Sequence, residues 1–213
     1  MPDLDPHFWT GFALFAIASS VTPGPNNAMM MTSGANFGLV RTLPHMAGVV
    51  VGFTLMILAV GLGLGALLTR FPALHDVLYW VGSAYLLWLA WQIANASGVG
   101  GASAPRPRSF TEIVAFQWVN PKAWTGAIGA VATYAPPQNY YANLAVICAI
   151  FFAVNVPVAL LWTSGGVALK QALQRPGALR VFNVTMALLL ALSIPPISQA
   201  IALSFRALSH HPH

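Results

Sequence analysis

A helix breaker sits in this chain where a membrane helix should be continuous. The run Val21-Thr22-Pro23-Gly24-Pro25-Asn26-Asn27 interrupts an otherwise apolar stretch from Phe8 to Met31. Two prolines fix φ and remove backbone N–H donors, and the glycine between them loosens the chain further. Inside a bilayer, each backbone group freed this way costs several kcal/mol unless something pairs with it. Such a break persists where it is packed in protein or lines a polar cavity, so it marks a functional site.

The membrane setting follows from composition. Of 213 residues, 57% are hydrophobic and 6% charged, whereas soluble domains carry about 25% charged residues. That leaves too few charges to cover the surface of soluble domains. The chain reads as an all-α, polytopic membrane protein whose main partner is the lipid bilayer. A net charge of +5 therefore says nothing of nucleic acid, and no nucleic-acid partner is expected; the basic residues are informative through their placement in loops. Cys148 stands alone, which excludes an internal disulfide. Asp3 and Asp5 replace the positive start of a secretory leader, so the first apolar stretch is expected to remain in the protein. The ending His210-His211-Pro212-His213 reads as a disordered tail, not a metal site.

Six stretches reach the roughly 20 residues needed to cross a bilayer core: Phe8–Ser33, Pro44–Leu68, Leu74–Ala94, Ile113–Tyr134, Asn143–Leu169 and Val181–Phe205. The segment Ser97-Gly98-Val99-Gly100-Gly101-Ala102-Ser103-Ala104-Pro105 reads as a flexible linker. It divides a single transporter domain, 1–213, into a first repeat of about 1–96 and a second of about 111–213, joined by about 97–110. The odd-numbered connections carry Arg41, Arg106, Arg108, Lys170, Arg175 and Arg180, against Arg70 and Arg206 on the other side. This bias places the odd connections in the cytoplasm and both termini outside it. Trp9, Tyr79, Trp80, Tyr134, Tyr140 and Tyr141 fall near helix ends, where interfacial anchors belong.

Three crossings per half turn the second half upside down relative to the first, as in inverted-repeat transporters. Helices 1 and 4 are each broken by a proline motif, Pro23-Gly24-Pro25-Asn26 in one and Asn120-Pro121-Lys122 in the other. Pro44 of the second helix has its counterpart in Asn155 and Pro157 of the fifth. Alternating access would then rock one triplet against the other around a central site.

Lys122 is the sharpest single residue. It lies eleven positions after Thr111, about 16 Å along a helix and so near the bilayer midplane. A lysine there either exchanges a proton or pairs with a substrate carboxylate; the plain alternative is that its stem snorkels to the interface. The helix restarting at Pro25 offers unpaired N–H groups and a positive dipole end to an anion, and Asn26 and Asn27 add carbonyls suited to an ammonium. Asn155 and Pro157, with Trp162 and Thr163, form a lesser candidate surface, balanced against plain helix packing. His45 could titrate near neutral pH but is expected near an interface. Gly34 with Gly38, Gly48 with Gly52, and Gly61 with Gly65 suit close helix contact or a homodimer face.

The spans lack deep Asp or Glu: Asp76 and Glu112 fall at helix ends. This weighs against an acidic proton relay or cation site. There is no Gly-x-x-x-x-Gly-Lys phosphate loop, Ser164 has no placed histidine partner, and no cofactor or metal is implied. The chain does not read as an enzyme.

These residues also carry a resemblance. Thr22-Pro23-Gly24-Pro25-Asn26 with Gly34 and Gly38 resembles the first-helix signature of the LysE/RhtB family of amino-acid exporters, and Phe116-Gln117-Trp118-Val119-Asn120-Pro121-Lys122-Ala123 is similar to its second signature. Gly82-Ser83-Ala84-Tyr85-Leu86-Leu87-Trp88-Leu89-Ala90-Trp91 looks like the family's third helix. The resemblance spans nearly the whole chain. It implies export of amino acids or derivatives from the bacterial cytoplasm across the inner membrane, driven by proton exchange. Asn26-Asn27 and Trp88-Leu89-Ala90-Trp91 look most like the cysteine/O-acetylserine branch. The chain departs from many relatives in having only Arg41 as a basic residue between Leu39 and His45. Without acidic residues to read a cationic side chain, small neutral amino acids are the expected substrates. The rival readings are a non-transporting membrane scaffold or receptor module and an ion or metal exporter.

Overall fold

The computed structural model describes residues 6–95 and 106–194. Most of the expected linker, the acidic N-terminal residues, the end of the sixth expected span, Arg206 and the histidine tail lie outside these residues. The described chain is helical and contains no strand. In order it forms α1 (Pro6–Val21), α2 (Pro25–Ala59), a π-helical segment Val60–Leu64, α3 (Gly65–Arg70), α4 (Pro72–Ala94), α5 (Phe110–Gln117), α6 (Pro121–Tyr134), α7 (Tyr140–Leu169), a 3-10 turn Ala172–Gln174 and α8 (Pro176–Leu192). Three stretches are long and apolar enough to cross a membrane: Pro25–Leu67, Asp76–Ala94 and Tyr140–Leu169. His7–Val21 and Gly177–Leu192 are shorter apolar helices.

The 43 residues of Pro25–Leu67 would measure about 65 Å as one straight helix, twice a bilayer core. The chain instead reverses at Gly38, whose φ of 80° and ψ of 175° interrupt α2. That conformation is essentially closed to residues with a side chain. Ser33 and Thr42 Oγ atoms lie 3.0 Å apart across the turn, although nine residues of straight helix would separate them by about 13.5 Å. Aromatic contacts trace the two legs. Phe12 meets the Phe151 ring at 5.5 Å and Phe53 meets the same ring at 5.2 Å. Between those two contacts the chain travels to the far end of α7, where Gly34 touches the Thr163 backbone and Gly166 touches that of Met31. A methyl on either glycine would collide with the facing carbonyl.

The second leg of α2 then climbs beside α5. Gly48 faces Phe110 and Ile113, and Gly52 faces Val114 and Gln117. Small residues let the two backbones approach where lipid offers no hydrophobic drive for association. This glycine pair is thus occupied inside the chain. The start of α5 is fixed by a capping box: Ser109 accepts from the Glu112 amide, and Glu112 accepts from the Ser109 amide at 2.7 Å. Arg106 pairs with Glu112 at 2.6 Å, and Arg108 lies 5.8 Å over Trp88 of α4. Tyr85 on Phe116 and Gly82 against Val119 continue the α4–α5 seam.

Several boundaries differ from the sequence expectation. The first connection, expected around Gly34–Leu43, collapses to Gly38, and Pro44 lies inside the second leg instead of opening it. Basic and proline residues there look like a loop, but one glycine completes the turn. The first broken span runs on to residue 37, and the fourth begins at Phe110. Tyr134 packs on Phe8, Phe12 and Phe15, and the Tyr140 hydroxyl donates to the Gly61 carbonyl at 2.8 Å. Both are interior contacts, unlike the exposed Trp80 and Tyr141.

Gly38→Ala is expected to destabilise the protein by about 1–3 kcal/mol, read as a lowered thermal midpoint of detergent-purified protein. Gly129→Ala, which meets open space, should stay within about 0.5 kcal/mol of the parent.

Candidate functional site

The first break leaves the last carbonyls of α1 without helical partners. Asn27 Nδ2 donates to the Ser20 carbonyl at 2.7 Å and to the Thr22 carbonyl at 3.0 Å. Lys122 Nζ donates to the Thr22 carbonyl at 2.6 Å and to the Pro23 carbonyl at 3.3 Å. The lysine therefore reaches across from α6 to the carbonyl end of α1, where the helix dipole favours a cation. Gly24 makes the approach possible: a Cβ there would lie 2.7 Å from Lys122 Cδ and 2.9 Å from Nζ. An ammonium has three donors. With two on carbonyls, the third is free for a ligand.

The second break is satisfied differently. Asn120 accepts from the Lys122 amide at 3.1 Å, an N-cap for α6, and Pro121 occupies the first helical position. Trp124 Nε1 donates to the Trp118 carbonyl at 2.9 Å. The two helix starts thus differ. The one at Pro121 is capped by a side chain; the one at Pro25 follows extended Gly24 and has no side-chain cap. The first amides of α2, those of Asn26 and Asn27, remain available to an anion.

Both breaks border one cavity of about 250 Å³. Gly24, Pro25, Asn26, Asn27, Asn120, Lys122 and Asn155 all line it, with Ser19, Ser20 and Thr125 adding hydroxyls and Phe15 and Phe53 an apolar wall. Asn155 is 8% exposed, and its Nδ2 has no hydrogen-bond partner among the described residues. Lys122 and Thr125 also border a second cavity of about 230 Å³, which Pro23 and Pro121 share with Leu189, Leu192 and Ser193 of α8 and its end.

The sequence-derived residues therefore converge, with exceptions. Pro23 and Pro121 face the second cavity instead of the first. Trp162 lines neither; it packs against the apolar cluster around Ala28 and Met30. His45 is 1% exposed, and neither ring nitrogen has a partner among the described residues. Gln117 was passed over as a candidate. It is fully buried and forms a two-way amide pair with Asn26, at 2.9 and 3.1 Å. An amide at the end of an apolar helix, four positions before Pro121, was the signal for it.

Comparison with known proteins gives the chain a family. A family model described as LysE type translocator matches residues 17–193. The cysteine/O-acetylserine efflux protein of Salmonella typhimurium (strain LT2) is 31% identical over 185 residues, covering 86% of this chain and 91% of the relative. The cysteine/O-acetylserine efflux protein of Escherichia coli (strain K12) is 30% identical over 191 residues, covering 89% and 94%. No solved structure matches. By the length of that match and by these identities, this chain belongs to the LysE type translocator family, a family of transporters and not of enzymes.

Proposed function

We propose that this protein exports small neutral amino acids or close derivatives across the bacterial inner membrane in exchange for protons. The observation that carries the reading is the cavity itself. An uncapped helix start and a lysine with one spare donor converge on a space of about 250 Å³ that Asn155 also borders. At about 30 Å³ per water, that is room for about eight waters, the scale of one small amino acid.

The substrate carboxylate would lie against the first amides of α2 and the remaining Lys122 N–H, a charge-assisted arrangement stronger than neutral hydrogen bonds. The Ser19, Ser20 and Thr125 hydroxyls and the Asn120 side chain offer oxygens to the substrate ammonium. The Asn155 side chain borders the same space and suits a polar substrate side chain such as a hydroxyl or an ester. The cysteine/O-acetylserine efflux proteins among the relatives favour that substrate class. Phe15 and Phe53 exclude water from the rest. Protons entering from outside would load a group at the site and favour release. Lys122 is the candidate carrier, with the substrate amine as the alternative. No cofactor or resident metal takes part.

The layout proposed with this function has six spans in two inverted halves and both termini on the outer face. The pairing of one broken helix from each half at the cavity supports it. A homodimer is also proposed; with Gly48 and Gly52 facing α5, its contact would fall on other surfaces.

Purified protein in proteoliposomes, given labelled cysteine, serine or O-acetylserine under an imposed pH gradient, tests the reading. Gradient-dependent movement is expected; movement of none of them, with no effect of the gradient, removes it. In the same assay Lys122→Met should lower transport by at least about tenfold, the scale of one lost charged hydrogen bond. Wild-type kinetics at normal expression would take Lys122 out of the mechanism.

A further inference from the structure

Gln117 has no part in the export reading, yet its surroundings fix it tightly. It ends α5 and lies fully buried behind Asn26, not on the cavity surface. The Ile113 carbonyl, 3.0 Å away, can only accept, so the Gln117 group facing it must be the NH2. The other hydrogen of that NH2 goes to Asn26 Oδ1 at 3.1 Å, and Gln117 Oε1 accepts from Asn26 Nδ2 at 2.9 Å. A backbone carbonyl in the second half thereby determines which way round the Asn26 amide lies in the first. Gly52 lets α2 close over the Gln117 stem, since a Cβ there would stand 3.0 Å from Gln117 Cγ and 2.9 Å from Val114 Cα.

The charge on the cavity wall gives this geometry a consequence. The lining includes one ammonium, that of Lys122, and no carboxylate. A zwitterion brings one carboxylate to that ammonium. A substrate with a second positive charge finds no counter-charge, and the Asn26 carbonyl, the acceptor nearest in kind, is already engaged by Gln117. Glutamate has the same shape as glutamine but would undo this. A carboxylate cannot donate to Ile113 or to Asn26 Oδ1, so it would release the Asn26 oxygen toward the cavity and place a negative charge behind it.

We infer that Gln117 is a positioning residue that sets substrate charge: by holding the Asn26 amide in one orientation and keeping the wall uncharged, it admits zwitterionic amino acids and rejects cationic ones. This rests on the export reading above. The neutral side chain at position 117 is then a selectivity element that never touches the substrate.

The test uses full-length wild type, Gln117→Glu and Gln117→Met in proteoliposomes. It measures labelled serine or O-acetylserine transport, with lysine and arginine as competitors. Gln117→Glu should raise KM for the neutral substrate about fivefold or more and make lysine a competitor. Gln117→Met removes the amide without adding charge. It should raise KM by a similar factor, leave maximal rate per folded transporter within about twofold, and gain no competition by lysine. Should Gln117→Glu fail to accumulate, the KM-specific effect of Gln117→Met carries the test. If the wild type transports while the folded variants keep its KM and competition profile, this inference falls and the export reading stands. If the wild type moves no amino acid, both fall together.

Discussion

The unpaired carbonyls at the end of α1 govern the rest of this structure. The extended chain around Pro23 and Pro25 stops the helix from pairing the Ser20, Thr22 and Pro23 carbonyls itself, and in an apolar setting each unmatched carbonyl costs about 2–7 kcal/mol. Asn27 and Lys122 provide the missing donors. That requirement fixes where α6 can lie, because the lysine must reach the carbonyls, and it fixes residue 24 as glycine, because the lysine stem passes over it. Chain around paired prolines cannot pack as closely as continuous helix. The space left over becomes the cavity. A backbone problem in one half is solved by a side chain from the other, and the binding site forms at that junction.

The two breaks divide the labour. At Pro121 the helix start is closed by Asn120, which leaves its dipole as a stiff structural element. At Pro25 the start is open, so the anion-seeking end belongs to the first half. Lys122 serves both sides: its amide completes the Asn120 cap while its ammonium ties down α1. Replacing it therefore disturbs architecture as well as charge. For that reason kinetics per folded transporter carry more weight than yield.

Much of this was legible in the sequence. A proline-glycine-proline run in an apolar stretch and a lysine beside a second proline both announce themselves through cost alone, and the structure brings them to one cavity. The lysine's engagement with the Thr22 and Pro23 carbonyls was less visible, since composition cannot say which acceptor a midplane cation finds. Gln117 was hidden because a single amide in a helix has many satisfied fates, and its pairing with Asn26 depends on contact across 91 positions. Gly38 was read as a packing glycine because its role lies in φ, which no spacing reveals. Trp162 looked like a site residue only by lying near Asn155 in the chain. Seven positions on a helix put the two at the same angle but about 10 Å apart along the axis.

The place of α7 has a consequence for how such a molecule can move. This helix belongs to the second half by sequence, yet α2 of the first half is its broadest partner, locked at Gly34 and Gly166 by backbone against backbone and again at Phe53 and Phe151. The halves are cross-threaded, each having lent a helix to the other. Motion along the chain's own dividing line would have to part its tightest seam. Around α4 and α8 the packing is of another kind, resting on Leu, Ala, Phe and Met side chains. Any rigid unit that keeps the α2–α7 contact whole therefore draws helices from both sides of the 97–110 segment, so a division by packing does not coincide with one by sequence.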